Sequence, residues 1–454
     1  MHPDDPGPGP DPVPPPPPRT RGRLRGAFAA LALGAVMFTV GAVGLDPPGP
    51  RPPDTAAPTG SPARSRDPAQ ALRERVARLP RDAGAWAALG MAYVQQARTT
   101  ADPGTYTRAE RALHRSLSVR PDGNTAAETA TAALAAARHD FPTALTWARR
   151  ATTTDPYSAT AFGALADALT QLGRYEEASR AVQRMNDLRP DASALARASY
   201  AFELRGDTAR ARTLMERSLT AAATPAERSF AHACLSALAL QDGDAARALA
   251  QAVRGLREDP QDPALLEARA RAHAALGENR QAVDAYEAAL AVAPLPHYLL
   301  GLGELQQSLG HPDRAEAAYE VLRAQETVRR AGGEAPADTD AILFEADHAS
   351  PGRAVTMARE TLRTRPFLAV HDAYGWALHR AGRDEEALAH ADEALAQGTR
   401  DTLFHYHRAA IHHALGDEDA ARRDLGAALR GAPRFPSPHA AAARALLQRI
   451  DGTP

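Results

Sequence analysis

The feature that most constrains this chain is a short pattern that keeps returning along it. A Gly is followed five residues later by Ala and seventeen residues later by Pro, at Gly173, Ala178 and Pro190, then at Gly243, Ala248 and Pro260, then at Gly277, Ala282 and Pro294. A period of about 34 residues in an Ala- and Leu-rich background is the signature of a helical repeat array. Each residue type has a physical reason for its place. Gly ends a first helix because it takes the left-handed cap conformation without steric cost. Ala sits where two helices cross too closely for a larger side chain. Pro stops the second helix and fixes the turn into the next unit.

The crossing Ala recurs at Ala109, Ala144, Ala178, Ala211, Ala248, Ala282, Ala315, Ala354, Ala387 and Ala421, which counts about ten units. Gly between the helices recurs at Gly206, Gly310, Gly382 and Gly416, and terminal Pro at Pro121, Pro156, Pro366 and Pro433. No single unit covers its own apolar face, so neighbours must stack to make a continuous core. The first unit opens at Asp82 with Trp86, Leu89, Gly90 and Tyr93 on one helix face. Its second helix carries Ala109, Ala112, Leu113 and Leu117 and ends at Pro121.

The W-x-x-L-G-x-x-Y run, the later Ala and the terminal Pro resemble the tetratricopeptide repeat, a helix–turn–helix unit of interaction scaffolds. The resemblance extends over most of the chain. It implies an all-α, right-handed solenoid whose first helices line a concave groove that receives partners as extended peptides or helices. Some stretches depart from the pattern. Residues 97–107 read as a turn longer than the family's. Unit two, near 125–156, lacks the first-helix aromatic and Gly and rests on Ala144, Ala148 and Pro156. The Gly- and Pro-bearing stretch 331–340 reads as a loop between a first subarray, 69–330, and a second, 341–437. Residues 438–454 read as a capping helix and tail, with Leu446, Leu447 and Ile450 turned toward the array.

The same resemblance implies which side chains face the groove. They are Asp167, Thr170 and Gln171 from one unit, Glu267 and Arg271 from another, and Glu304 and Gln307 from the next. Asp372, Trp376 and His379 follow, then Tyr406 and His413. Aromatic groups exposed beside polar ones are typical interface anchors, so the last five are the leading candidates. Packing between helices is the competing reading of Trp376. The Lys, Asn and Arg clamp by which some members of the family hold a partner's C-terminal carboxylate is not matched, because the chain has no Lys.

Before the array the composition changes. Residues 1–25 are Pro-rich, with a run from Pro14 to Pro18, and hold too little apolar material to offset ordering entropy, so a disordered tail is expected. Arg19, Arg21, Arg23 and Arg25 then precede the uncharged stretch 26–45. Its length suits one helix across a bilayer core of about 30 Å. A retained anchor is expected, with the Arg side in the cytoplasm and the array beyond the membrane. Cleavage after the small residues Ala42 to Gly44, giving a secreted form, is the alternative. Residues 46–68 read as a Pro-rich stalk.

Composition excludes other functions. A net charge of −2 supplies no field for a phosphate backbone, so a protein or peptide partner is expected and nucleic acid is not. All basic residues are Arg, which reads as the codon bias of a GC-rich genome. One Cys, Cys234, rules out an internal disulfide, and its Ala and Leu neighbours read as a buried environment. Seven His crowd 371–413, yet His405 and His412 lie about 10 Å apart along one helix and the His-Glu-x-x-His motif is absent. Metal binding or an enzyme-associated role for that end stays the outside alternative. No phosphate-binding Gly loop or nucleophile elbow is present, and Gly301 and Gly303 read as close-packing positions. Neither catalysis nor a cofactor is expected.

Overall fold

The computed structural model describes residues 68–100, 103–331, 337–431 and 437–452. The expected tail 1–25, the apolar segment 26–45 and the stalk up to residue 67 lie outside these residues, as do 332–336 of the long loop. Among the described residues there are helices only, and none is long and apolar enough to cross a membrane.

Helix α1 (Pro68–Arg78) leads into ten antiparallel helix pairs, which number the units. Unit 1 is α2 (Ala83–Thr100) and α3 (Pro103–Val119), unit 2 is α4 (Thr125–Ala137) and α5 (Phe141–Thr154), and unit 3 is α6 (Ala159–Gln171) and α7 (Tyr175–Leu188). Unit 4 is α8 (Ala192–Glu203) and α9 (Thr208–Ala221), and unit 5 is α10 (Pro225–Gln241) and α11 (Ala245–Glu258). Unit 6 is α12 (Pro263–Leu276) and α13 (Asn279–Val292), and unit 7 is α14 (Pro296–Ser308) and α15 (Pro312–Ala331). Unit 8 is α16 (Thr339–His348) and α17 (Pro351–Thr364), and unit 9 is α18 (Leu368–Arg380) and α19 (Asp384–Leu395). Unit 10 is α20 (Thr402–Ala414) and α21 (Glu418–Gly431), and α22 (Ser437–Ile450) closes the chain.

The crossing Ala is buried in every unit. Most first helices begin at side-chain caps: Ser158, Asp191, Thr224, Asp262 and Asp401 each accept a backbone N–H of the first turn, which satisfies donors the helix itself leaves free. The inter-helix Gly residues take positive φ, as the repeat requires. Unit 2 has no Gly there. His139 adopts φ 57° in its place, so the pair forms at the cost of one strained residue. Gly303 is a packing position, since a Cβ there would stand 2.2 Å from the Tyr319 ring.

Two expectations need correction. The extra residues in unit 1 lengthen its helices rather than its turn, for α2 runs 18 residues to Thr100 and α3 resumes at Pro103. Their Ala- and Arg-rich sequence has nothing to stop a helix before that point. Helix α1 was not anticipated either. Ala69, Leu72 and Val76 recur on one face and pack against Leu89 and Tyr93 of unit 1, covering the end of the array as a terminal repeat requires.

The array coils tightly enough for distant units to touch. The joint between units 8 and 9 meets the helix turn of unit 3, where Tyr175 Oη accepts from the Leu368 N–H at 2.9 Å. The joint between units 9 and 10 meets the turn of unit 4. There Gly206 lies so close that a Cβ would stand 2.2 Å from the Gly398 carbonyl oxygen. Leu204, Phe367, Leu368, Leu395 and Phe404 form one apolar cluster between them, with Tyr175 and Tyr200 against it. The solenoid therefore closes on itself.

Candidate partner-binding channel

Closure turns the expected open groove into a lined channel whose side chains mostly bind each other. On unit 3, Asp167 receives two hydrogen bonds from Arg197 of unit 4, at 2.7 and 2.8 Å. Two parallel N–H···O bonds to a carboxylate fix orientation as well as charge. Thr170 donates to the Ala166 carbonyl in its own helix. Gln171 is 1% exposed, because Arg365 from the joint after unit 8 donates to its Oε1 at 2.6 Å. The same guanidinium reaches Asp338 Oδ1 at 3.3 Å and lies over the rings of Phe141 and Phe367. Arg365 thus ties units 2 and 3 to units 8 and 9.

In unit 6 Glu267 is buried and pairs with Arg271, Nε to Oε1 at 3.7 Å. In unit 7 Glu304 meets His439 of α22, while Gln307 is exposed and accepts a hydrogen bond from Tyr319 Oη. The aromatic group expected to anchor a partner is covered. Trp376 is 4% exposed and Tyr406 8%. The Trp376 indole donates to Asp347 at 3.0 Å and stacks on His407 with ring centroids 4.1 Å apart. His407 in turn bonds Asp372, both side chains being almost wholly buried. Burial is the main cause that pushes the Asp372 carboxyl up and the His407 imidazole down. His379 and His413 each pair with an acid five residues on, Asp384 and Glu418, across the turn of their own unit.

Other His of this end find partners between the two helices of a unit. His405 bonds Asp424 at 2.9 Å, and His371 lies 3.2 Å from His390 between the helices of unit 9. No group of three His, Cys, Asp or Glu that could hold a metal ion occurs among the described residues. Cys234 is buried and its thiol is pushed up by burial, which opposes the thiolate form that reacts.

The channel stores carboxyls where water is scarce. Burial, opposed by the hydrogen bond from Gln241 and aided by Asp401, raises Glu203 to about 7. Burial and the neighbouring Asp338 raise Asp340 to about 8, with Arg365 opposing. A carboxyl raised on folding binds its proton more tightly in the folded chain. Its contribution to stability is therefore complete at pH values below the unfolded pKa, about 4, and is lost as pH rises through about 7 and 8. His439, raised by Glu304, Asp347 and Asp372 against the opposing pull of burial, loses its contribution in the same direction. The lowered imidazoles of His371, His390 and His407 act below that window. The melting temperature is expected to fall from about pH 6.5, above which the imidazoles no longer oppose the carboxyls, to about pH 8 in a calorimetric series, and a flat profile over that range contradicts the account.

Three features were missed by sequence reasoning: Arg365, His439 and the Arg197–Asp167 pair. Arg365 precedes Pro366 as Arg120 precedes Pro121 and Arg189 precedes Pro190, so nothing local marks it. The Arg197 signal was present, since a cation 30 residues after an acid stands on the adjacent unit of a 34-residue array.

No protein-family model matches the sequence, and no curated protein matches it. The chain is similar to several solved structures. One is a tetratricopeptide repeat protein from Parabacteroides merdae, at 17% identity over 57% of this chain and 98% of that one, with a TM-score of 0.33. Another is PilW, a type IV pilus biogenesis factor, at 19% identity over 44% of this chain and 92% of that one, with a TM-score of 0.39. A third is the human IFIT1 dimer solved with m7Gppp-AAAA, at 12% identity over 81% of this chain and 95% of that one, with a TM-score of 0.42. At these values the likeness is between helical arrays and says nothing of a ligand.

Proposed function

We propose that this chain is a protein-interaction scaffold, without catalytic activity of its own, whose concave channel receives a segment of a protein partner. The observation that carries this reading is where the polar and aromatic side chains stand. The units repeat their crossing Ala and, in most of them, the inter-helix Gly, while Arg271, Glu304 and Gln307 differ from unit to unit on the first helices, beside the covered Trp376 and Tyr406. Non-repeating residues on one continuous face are what a sequence-specific docking surface needs. A protein is favoured over nucleic acid because the channel's guanidinium groups are already paired, Arg197 with Asp167, Arg271 with Glu267 and Arg365 with Asp338. Arg19 to Arg25 before the uncharged stretch 26–45 support an array anchored to a membrane and standing on its outer side.

One experiment separates the two parts of this proposal. The variant Gln307→Cys places a thiol at an exposed channel position, while the native Cys234 stays buried. Intact cells are treated with a membrane-impermeant, thiol-directed photocrosslinker, and adducts are read by mass spectrometry. Labelling of residue 307 on intact cells and recovery of a protein attached there are the expected results. Labelling only after lysis overturns the outward topology. Labelling that recovers no protein, or recovers nucleic acid, overturns the scaffold.

A further inference from the structure

Helix α22 does more than cover the end of the array. Its inner side, Ala440, Ala443 and Leu446, packs in one cluster with Trp376 and Tyr406, and Leu447 and Ile450 lie against it. At its start His439 Nε2 reaches Glu304 Oε1 of unit 7 at 3.6 Å. The helix therefore runs back along the concave side of units 7 to 10, over residues that sequence reasoning assigned to a partner.

Several features distinguish α22 from a structural wall. The surface beneath it is held without it: Trp376 is fixed by Asp347 and by stacking on His407, and Asp347 is fixed again by Arg380 at 3.2 Å. The inner side of α22 begins with methyl groups only, at Ala440 and Ala443, and Ala441, Ala442, Arg444, Ala445, Gln448 and Arg449 face solvent. Of its buried residues only Leu446 is larger than Ala, so the first turns of such a helix withdraw little apolar surface from water. The fit is also incomplete. His407 Nε2 is buried without a hydrogen-bond partner, although its ring lies 5.9 Å from that of His439. A buried polar atom left unsatisfied costs stability that a better-matched ligand recovers.

We propose that the concave channel of units 7 to 10 is a receptor for an amphipathic helix, that α22 occupies it in cis, and that a partner helix of matching pattern displaces α22. This rests on the scaffold reading above and names the partner's chemistry. The first position, held here by His439, takes a cation or an amide. A cation meets Glu304 and Asp347, and an amide supplies His407 Nε2 with the bond that His439 leaves unmade. The positions one and four residues on take only small side chains, since Ala440 and Ala443 are enclosed. The position seven residues on takes Leu, as Leu446 does. The tether to unit 10 is five residues, Ala-Pro-Arg-Phe-Pro, which holds α22 near the site at an effective concentration of about millimolar.

The test uses the full chain, its variant Ala443→Arg, and a fluorescent peptide with the sequence of residues 437–450. Arg cannot enter the space of Ala443, so the variant evicts its own helix. A peptide that binds the emptied channel at about 10 µM is expected to bind the native chain about 100-fold more weakly, because α22 competes in cis. Trp376 emission is expected to shift to longer wavelength in the variant and to return when peptide is added. Replacing the peptide's His by Gln is expected to tighten binding several-fold. A variant that keeps its helical circular dichroism but binds peptide no better than the native chain overturns the proposal. Should the variant not fold, hydrogen exchange on the native chain decides. Amides of 437–450 exchanging as a block ahead of 402–431 support a displaceable helix, and equal protection of both overturns it. A failed peptide test beside a protein recovered at residue 307 leaves the scaffold standing and removes only α22 as its gate.

Discussion

Arg365→Met is expected to lower the free energy of unfolding by about 3–5 kcal/mol, the cost of breaking a buried ion pair from one side. The Arg365 side chain is 3% exposed and that of its partner Asp338 7%. Removing the guanidinium leaves the Asp338 carboxylate facing Asp340 in a dry environment, and it takes from Gln171 its bond across the two turns. Gln171 Nε2 already lacks a partner, so its amide has no second anchor. Met retains much of the volume that lies against Phe141 and Phe367, which separates loss of charge pairing from loss of packing. Urea denaturation measures the stability, and small-angle scattering measures whether the turns part. The double variant Arg365→Met, Asp338→Leu is expected to recover part of the loss, because apolar pairs replace buried ion pairs at little cost. A single variant within about 1 kcal/mol of the native chain, at unchanged radius of gyration, rules out Arg365 as a tie.

Gly206→Ala is expected to be the most damaging of the Gly substitutions between helices, and Gly310→Ala supplies its control. Both positions have positive φ, 73° and 77°, so an Ala side chain costs about 1–2 kcal/mol at either one. Their surroundings differ. A Cβ at Gly310 meets nothing within 4 Å, whereas at Gly206 it would stand 2.2 Å from the Gly398 carbonyl oxygen. That oxygen belongs to backbone and cannot swing aside as a side-chain tip does. The clash is relieved only by moving the 9–10 joint away from unit 4, which opens Leu204, Phe367 and Phe404 to water. Gly206→Ala is therefore expected to cost about 3 kcal/mol or more, and limited proteolysis is expected to cut near residues 396–401. Equal melting temperatures for the two variants would show that the turns do not bear on each other.

These two sites show where the sequence is legible and where it is not. Ala178, Ala248 and Ala282 could be placed at helix crossings because the requirement is local to one unit and returns with every period. Gly173 and Gly206 were equally visible as helix ends. Their second role, admitting the backbone of a unit six places on, left no trace in the pattern. That role depends on the sum of small rotations between neighbouring units, and no single unit encodes it. Trp376 stands out in the sequence for not repeating, yet its burial could not be read there. The groups that cover it, Asp347, His407 and Ala440, come from three other helices. His139 was hidden for a simpler reason, since a left-handed residue that is not Gly or Asn carries no composition cue.

The bond between Gln171 and Arg365 joins residues 194 positions apart. An open array is a row of nearest-neighbour couplings, so it nucleates anywhere and frays from its ends. Here units 3 to 9 form a loop in the topological sense, and no unit inside it can melt without breaking the tie. The loop imposes a kinetic burden as well. The closing contacts return nothing until the intervening units are already stacked, so the last step of folding waits on the largest entropy loss. Once made, the tie converts a chain of weakly dependent units into a single cooperative block, leaving unit 1 and helix α22 as the parts free to open by themselves.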